Sequence, residues 1–259
     1  MAKNQNLIFG INPVLEKLKA SSRDVVEIFV ADISDRSEMR QVRQEAQRLG
    51  LRLVPVGAKT LDQLAGGHRH QGVVARVEAY RYLAFAEMIE RIAPSSISER
   101  ILILDGLTDP RNFGALLRTA DAAGIRYVVI PKDRSVEVSP LVTKTSAGAS
   151  YHLNVAKVTN LRRAIVHLKE NGYWVVGLDA KSRETIYERD FAARLAIVIG
   201  SEGSGIRPII LRECDLLVSI PMLGKVASLN VSVAAAVFLY ELVRQRGKSA
   251  MDLIGHTGL

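Results

Sequence analysis

Apolar residues in this chain fall into short continuous runs, at 25–30, 51–56 and 72–77, then at 101–104, 127–130, 174–178, 195–199 and 216–220. Continuous runs, as opposed to alternating ones, predict strands covered on both faces, as in parallel sheets. Residues 37–49, ended by Gly50, and 113–123 and 160–170 repeat at helical spacing between them. The stretch 79–100 breaks the rhythm: an amphipathic piece at 85–92 is followed by Ala93-Pro94-Ser95-Ser96-Ile97-Ser98, which is loop chemistry. The pattern predicts a small N-terminal α/β domain over 1–78, a linker over 79–98, and a C-terminal α/β domain over 99–259 built on a mostly parallel sheet of five or six strands.

Three turns at the ends of the later strands carry polar residues that the pattern alone does not require. After the run ending at Ile220 comes Ser228-Leu229-Asn230-Val231-Ser232, opening a helix, 231–240, that is apolar almost all round and so expected to be covered on every side. Ser228 is a good N-cap. Asn230 and Ser232 fall inside the first turn, where they are mediocre helix formers and need a partner or a ligand. After 101–104 comes Asp105-Gly106-Leu107-Thr108-Asp109-Pro110-Arg111-Asn112, with Asn112 the expected N-cap and Phe113, Leu116, Leu117 and Ala120 the buried stripe. Arg118 lies off that stripe, either paired with Asp121 at i,i+3 or free for a ligand. After 195–199 comes Gly200-Ser201-Glu202-Gly203-Ser204-Gly205. This loop lacks the G-x-G-x-x-G order, and Glu202 would repel a pyrophosphate; it is either a plain glycine turn or part of a site. Ligands of such sheets sit beyond the carboxyl ends of the strands. Together the three turns suit a neutral or cationic cofactor beside a phosphate-bearing substrate.

Composition narrows the picture. The 259 residues are 48% apolar and 24% charged, enough for a real core, and the net charge of +8 suits a polyanionic partner. That charge is spread, with 14 basic against 11 acidic residues through Pro94 and 21 against 16 beyond. A single cysteine, Cys214, a polar N-terminus and the absence of any apolar run near 20 residues lead to the expectation of a reducing, cytoplasmic setting without a membrane span. No His-x-x-x-His or Cys-x-x-Cys pair points to a metal, and no Gly-x-Ser-x-Gly elbow points to a hydrolase. A dehydrogenase would need a phosphate-binding glycine loop after the first strand of the sheet, and Asp105-Gly106-Leu107-Thr108 is not one.

At 104–124, 197–206 and 220–235 the chain resembles the SpoU branch of the SPOUT-type RNA 2′-O-ribose methyltransferases, with the three motifs in order. Phe9-Gly10-Ile11-Asn12-Pro13-Val14 and His70-Gln71-Gly72-Val73-Val74-Ala75-Arg76 are similar to the substrate-binding domain of the bacterial 23S rRNA guanosine methyltransferases of that branch. The resemblance implies a trefoil-knotted C-terminal domain, S-adenosylmethionine as cofactor, RNA as substrate and a homodimer; physics of the sequence alone would not have proposed a knot. It implies Asn112, Arg118, Glu202, Ser228 and Asn230 as the catalytic set, with Gly200, Ile220 and Leu229 contacting the cofactor largely through backbone. Ala147-Gly148-Ala149-Ser150-Tyr151 and Lys225 depart from the pattern without touching that set.

For RNA binding by the N-terminal domain the candidates are His68, Arg69, His70 and Gln71; the competing reading is that His70-Gln71-Gly72 only turns the chain into the next strand. A guanidinium stays protonated, so Arg118 reads better as a clamp on a neighbouring phosphate than as a general base. The expected activity is methylation of a ribose 2′-hydroxyl, on a guanosine of 23S rRNA. The alternatives are tRNA ribose methylation and a non-catalytic RNA-binding or ribosome-assembly factor.

Overall fold

The structure, a computed structural model, describes residues 6–31, 37–92, 99–191 and 194–255. They divide into two compact units, one of residues 1–81 with 137–152, the other of residues 82–136 with 153–259.

In the first unit β1 (Asn6–Phe9), α1 (Ile11–Ser21), β2 (Val25–Ala31), α2 (Ser37–Arg48), β3 (Leu53–Val56), α3 (Ala58–Leu64) and β4 (Val73–Val77) follow in order. The sheet order is β1-β4-β2-β3, with β4 antiparallel to both neighbours and β2 parallel to β3. One face packs Ile8, Ile28, Val73 and Ala75 against Val14, Leu18, Met39 and Val42 of α1 and α2; the other packs Phe9, Phe29 and Val74 against Leu61 of α3. The short strand β1 and the helices α1 and α3 are additions to the expected pattern.

In the second unit come α4 (Phe85–Ile92), β5 (Arg100–Asp105), α5 (Pro110–Ala122) and β6 (Tyr127–Pro131). The chain then contributes α6 (Pro140–Thr145) and a single 3₁₀ turn at Ala149–Tyr151 to the first unit. It returns with β7 (Asn154–Val158), α7 (Leu161–Glu170), β8 (Trp174–Leu178), β9 (Leu195–Gly200), α8 (Pro208–Leu211), β10 (Leu216–Val218) and α9 (Val231–Gly255). The linker expected over 79–98 contains α4, whose Met88 and Ile92 are buried in the core of the second unit; its Pro-Ser end at 93–98 lies outside the described residues.

The six strands are parallel in the order β10-β8-β9-β5-β6-β7. Every residue of β5 and β9, the two central strands, is buried, as their continuous apolar runs require. The connection from β8 to β9 is tied to the residue that follows β10 and to α9. Ser219 donates its N–H to the Glu184 carbonyl and accepts from the Ile186 N–H, while Gln245 of α9 donates to the Arg189 carbonyl and accepts from the Phe191 N–H. Helix α9 lies on α5 and β9 and continues to Gly255, well past the expected end at Tyr240. Its cover is one-sided: Ala235, Phe238, Leu239 and Leu242 are buried, whereas Val233, Tyr240 and Val243 stand exposed. Among the described residues no helix is long and apolar enough to cross a membrane.

Candidate active site

The carboxyl end of β9 is built for close approach. A Cβ on Gly200 would lie 2.1 Å from the carbonyl carbon of Gly205 and 2.2 Å from the nitrogen of Ile206, so only glycine fits. The chain then folds back in a tight hairpin, Ser201 and Gly205 exchanging both backbone hydrogen bonds at 3.0 Å with the two serine hydroxyls, Ser201 and Ser204, 2.6 Å apart. Gly203 and Gly205 take positive φ angles of 79° and 65°, which glycine adopts freely. The hairpin lifts Glu202 to its exposed tip.

Helix α5 begins two residues before the N-cap expected at Asn112. Asp109 caps it, its Oδ1 accepting the Arg111 N–H at 2.6 Å, and Pro110 occupies the first helical position, where a missing N–H costs nothing. Asn112, inside the first turn, is thereby free of capping and donates from Nδ2 to Glu202 Oε1. Helix α9 is capped by Asn230, not by Ser228: Asn230 Oδ1 accepts from the N–H groups of Ser232, at 2.9 Å, and Val233, at 3.4 Å, and from the Ser232 hydroxyl at 2.6 Å. With its oxygen so occupied, the Asn230 amide points Nδ2 at Asn112 Oδ1, 3.1 Å away, and more distantly at Glu202 Oε1, 3.5 Å away. The three side chains form an oriented chain of donors, Asn230 to Asn112 to Glu202, ending on a carboxylate that only accepts.

Beside this chain opens a cleft of about 620 Å³ at the carboxyl ends of β8 and β9. Leu178, Ile199, Ile206, Ile220 and Leu229 supply apolar walls, Gly200 and Gly205 expose backbone, and Glu202, Ser228 and Asn230 stand among its polar lining. Gly200, Ile220 and Leu229, expected at the cofactor, all line it. Ser228 is exposed in that lining and makes no hydrogen bond to another described residue. Arg118 is not gathered with the others. It is exposed on α5, does not line the cleft and forms no ion pair with Asp121. At six residues beyond Asn112 it stands roughly 9 Å further along the helix and about 120° around it.

Sequence reading missed Asp105. This last residue of β5 is almost fully buried, and its carboxylate accepts from the Arg207 N–H at 2.8 Å and Nε at 2.7 Å, with Nη2 2.6 Å away. It thus pins the chain leaving the Glu202 hairpin to the strand before Asn112. The signal was an acid closing the wholly apolar run 101–104, where a charge must be paired.

In the first unit the four RNA candidates divide. His70 is held structurally: Nδ1 accepts the Gly72 N–H at 3.0 Å, which leaves the proton on Nε2, 3.0 Å from Asp62 Oδ1. Gln71, at φ 54°, turns its Oε1 to the Ile11 N–H at the start of α1, 3.3 Å away. His68 and Arg69 are exposed; the His68 ring stacks on Phe9 with centroids 4.8 Å apart, and Lys144 Nζ sits 4.9 Å over the same phenyl ring while donating to the Arg69 carbonyl at 2.8 Å.

Comparison with known proteins agrees with this architecture. Residues 99–240 match the SpoU rRNA methylase family, and residues 7–83 match the RNA 2′-O ribose methyltransferase substrate-binding domain. The 23S rRNA (guanosine-2′-O-)-methyltransferase RlmB of Shewanella oneidensis is 41% identical over 94% of this chain and 99% of its own. The RlmB of Bordetella pertussis is 44% identical over 95% and 99% respectively. Among solved structures, the SpoU methyltransferase AviRb from Streptomyces viridochromogenes, in complex with the cofactor AdoMet, superimposes with a TM-score of 0.77 at 24% identity, covering 93% of this chain and 89% of AviRb. The fold is the two-part α/β architecture with a knotted C-terminal domain, and the chain belongs to the SpoU family of rRNA methylases.

Proposed function

We propose that this protein transfers a methyl group from S-adenosylmethionine to a ribose 2′-hydroxyl of RNA, on a guanosine of 23S rRNA. The observation that carries the reading is the Asn230–Asn112–Glu202 chain at the mouth of the 620 Å³ cleft. The cleft suits the cofactor: apolar walls and exposed backbone for a nucleoside, and an acid instead of an anion cradle beside a sulfonium. When bound, the cofactor supplies an electrophilic methyl group. Gly200, Ile220 and Leu229 would hold it.

The protein's own groups position the ribose. Asn112 and Asn230, their amides fixed by Glu202 and by the α9 cap, present donors and acceptors of set direction, and Ser228 offers a free hydroxyl in the same cleft. Arg118, without an ion pair among the described residues and removed from the cluster, suits the phosphate next to the target nucleotide better than the 2′-oxygen itself. In the first unit, Arg69 and the exposed His68 ring are assigned to RNA, while His70 and Gln71 hold the turn beneath them. The exposed apolar residues of α9, Val233, Tyr240 and Val243, support a homodimer in which a second copy covers this face. The setting is cytoplasmic, where rRNA resides.

Labelled methyl transfer from S-adenosylmethionine to unmodified 23S rRNA and tRNA, with the modified ribose mapped, tests the reading. Transfer to one guanosine ribose of 23S rRNA is expected. Transfer to tRNA alone would move the substrate, and RNA binding without transfer to either would make the protein a binding or assembly factor.

A further inference from the structure

A second cleft, of about 550 Å³, opens on the same edge of the parallel sheet, at the carboxyl ends of β6 and β7. Nothing in the reaction described above uses it. Three arginines line it, Arg134, Arg162 and Arg207, together with Asn160 and one acid, Asp133. Two of the three are anchored by part of their donor set and leave the rest open. Arg162 gives Nε to Glu213 at 2.6 Å, and Arg207 gives Nε and Nη2 to Asp105. Among the described residues both Nη groups of Arg162 and Nη1 of Arg207 have no partner, and about half of each side chain is exposed. Such half-anchored arginines are preorganised for a bidentate anion, since their carboxylate partners fix the fork before the ligand arrives.

The third guanidinium, Arg134, makes no ion pair or hydrogen bond among the described residues, and it stands in the left-handed region at φ 55°. Glycine would take that conformation without strain, so an arginine there is held against its backbone preference, as happens at sites of function. Placement adds to this. The segment 206–211 is shared, Ile206, Pro208 and Leu211 facing the cofactor cleft and Arg207, Ile209 and Ile210 facing this one. From β9 across β5 to β6 is two strand spacings, about 10 Å, within the reach of one or two nucleotides from a ribose at Asn112.

We infer that the Arg134–Arg162–Arg207 cleft is a subsite for the phosphodiester backbone of the RNA flanking the methylated nucleotide. The inference rests on the RNA methyltransferase reading. Its guanidinium donors match phosphate oxygens, so the subsite positions the strand and adds affinity more than sequence preference.

The test is Arg134→Ala and Arg134→Lys in the full-length protein, because Arg134 has no ion pair or hydrogen bond to lose among the described residues. Methyl transfer to a 23S rRNA fragment, S-adenosylmethionine binding, and RNA binding across a salt series are measured for each. Arg134→Ala is expected to raise KM for RNA about five- to tenfold with kcat within about twofold, to leave S-adenosylmethionine affinity unchanged, and to lower the slope of log affinity against log salt by about one. Arg134→Lys should restore the salt slope and only part of KM, a point charge replacing a fork. Unchanged KM and salt slope in Arg134→Ala, with the unmodified protein active, would overturn the subsite and leave the methyltransferase reading intact. If the unmodified protein binds RNA with Arg134-dependent affinity but methylates none, the activity assigned above fails and the cleft is a backbone-binding site without a methylated nucleotide beside it, which overturns the subsite as stated. If it neither binds nor methylates RNA, both fall.

Discussion

Glu202 is exposed at the tip of a hairpin, yet it decides which way the Asn112 amide points. An asparagine amide turned by 180° exchanges donor for acceptor at almost no steric cost, so Asn112 needs a neighbour that cannot reciprocate. A carboxylate is one. Glu202→Gln keeps the size of the side chain and removes that constraint, since a glutamine can present either end to Asn112. A hydrogen bond to a charged group contributes about 1.5–3 kcal/mol, so kcat for methyl transfer is expected to fall about 10- to 100-fold while S-adenosylmethionine affinity changes less than about threefold. Loss of cofactor affinity in proportion to rate would instead make Glu202 a cofactor ligand. The single cysteine gives a second prediction at this scale. Burial, and then the neighbouring Asp215 carboxylate, push the Cys214 thiol up to about 12. In the unfolded chain a cysteine ionises near 8.5, so the unfolded state loses its proton first. Stability from this group is therefore full below about pH 8.5 and declines above it. Alkylation needs the thiolate. Iodoacetamide at pH 8 should leave the native protein unmodified and label it fully in denaturant; rapid labelling of the native protein would show an open, ionised thiol.

At the scale of elements, one residue serves two structures at the start of α9. Asn230 caps the helix through Oδ1 and joins the site through Nδ2. The two duties separate on substitution. Asn230→Asp retains an excellent cap but cannot donate to Asn112 and sets a second carboxylate beside Glu202. Asn230→Ala loses both. The aspartate variant should keep the melting temperature of the unmodified protein and lose most methyl transfer, whereas the alanine variant should lose activity and about 1 kcal/mol of stability, read as a lowered denaturation midpoint. A stable, fully active aspartate variant would remove Asn230 from the chemistry. The same residue shows what the sequence could and could not yield. Strands such as Arg100–Asp105 and Leu195–Gly200 were legible because burial on both faces demands an unbroken apolar run. The start of α9 at Val231 was legible, but its cap, and both the start and the cap of α5, were not, because Asp109, Asn112, Ser228 and Asn230 are all good caps, and choosing among them depends on Pro110 in one case and on a partner 118 residues away in the other. Strand Asn154–Val158, with a lysine at its fourth position, and strand Asn6–Phe9, only four residues long, carry too little pattern to stand out. The Asp105–Arg207 pair spans 102 residues, and no local signal could have joined its members.

The whole molecule is not two successive segments of chain, because the first unit takes its last pieces from between β6 and β7. Helix α6 lies on β1, and the turn at Ala149–Tyr151 lies on α1. Tyr80 donates its hydroxyl to the Ser150 carbonyl at 3.1 Å, His152 meets Glu16 at 2.9 Å, and Lys17 Nζ stands 4.6 Å over the Tyr151 ring. Gly148, at φ 92°, passes so close that a Cβ would sit 2.4 Å from the Glu16 Cβ. Lys144 from this stretch also reaches the Arg69 carbonyl, so the surface assigned to RNA in the first unit is assembled from both parts of the chain. A fragment of residues 1–81 consequently lacks the layer that covers β1 and α1 and should be marginal alone. Adding a peptide of residues 137–152 is expected to raise its melting temperature with rising peptide concentration, by roughly 4–8 °C for each kcal/mol of linkage in a domain of this size. The peptide carrying Gly148→Ala, which strains the backbone and strikes Glu16, should do far less. A fragment that melts at one temperature with or without either peptide would show that residues 137–152 are not part of its folding unit. The cofactor and RNA roles proposed for the two units would then have to be cut apart at boundaries other than 81/82, 136/137 and 152/153.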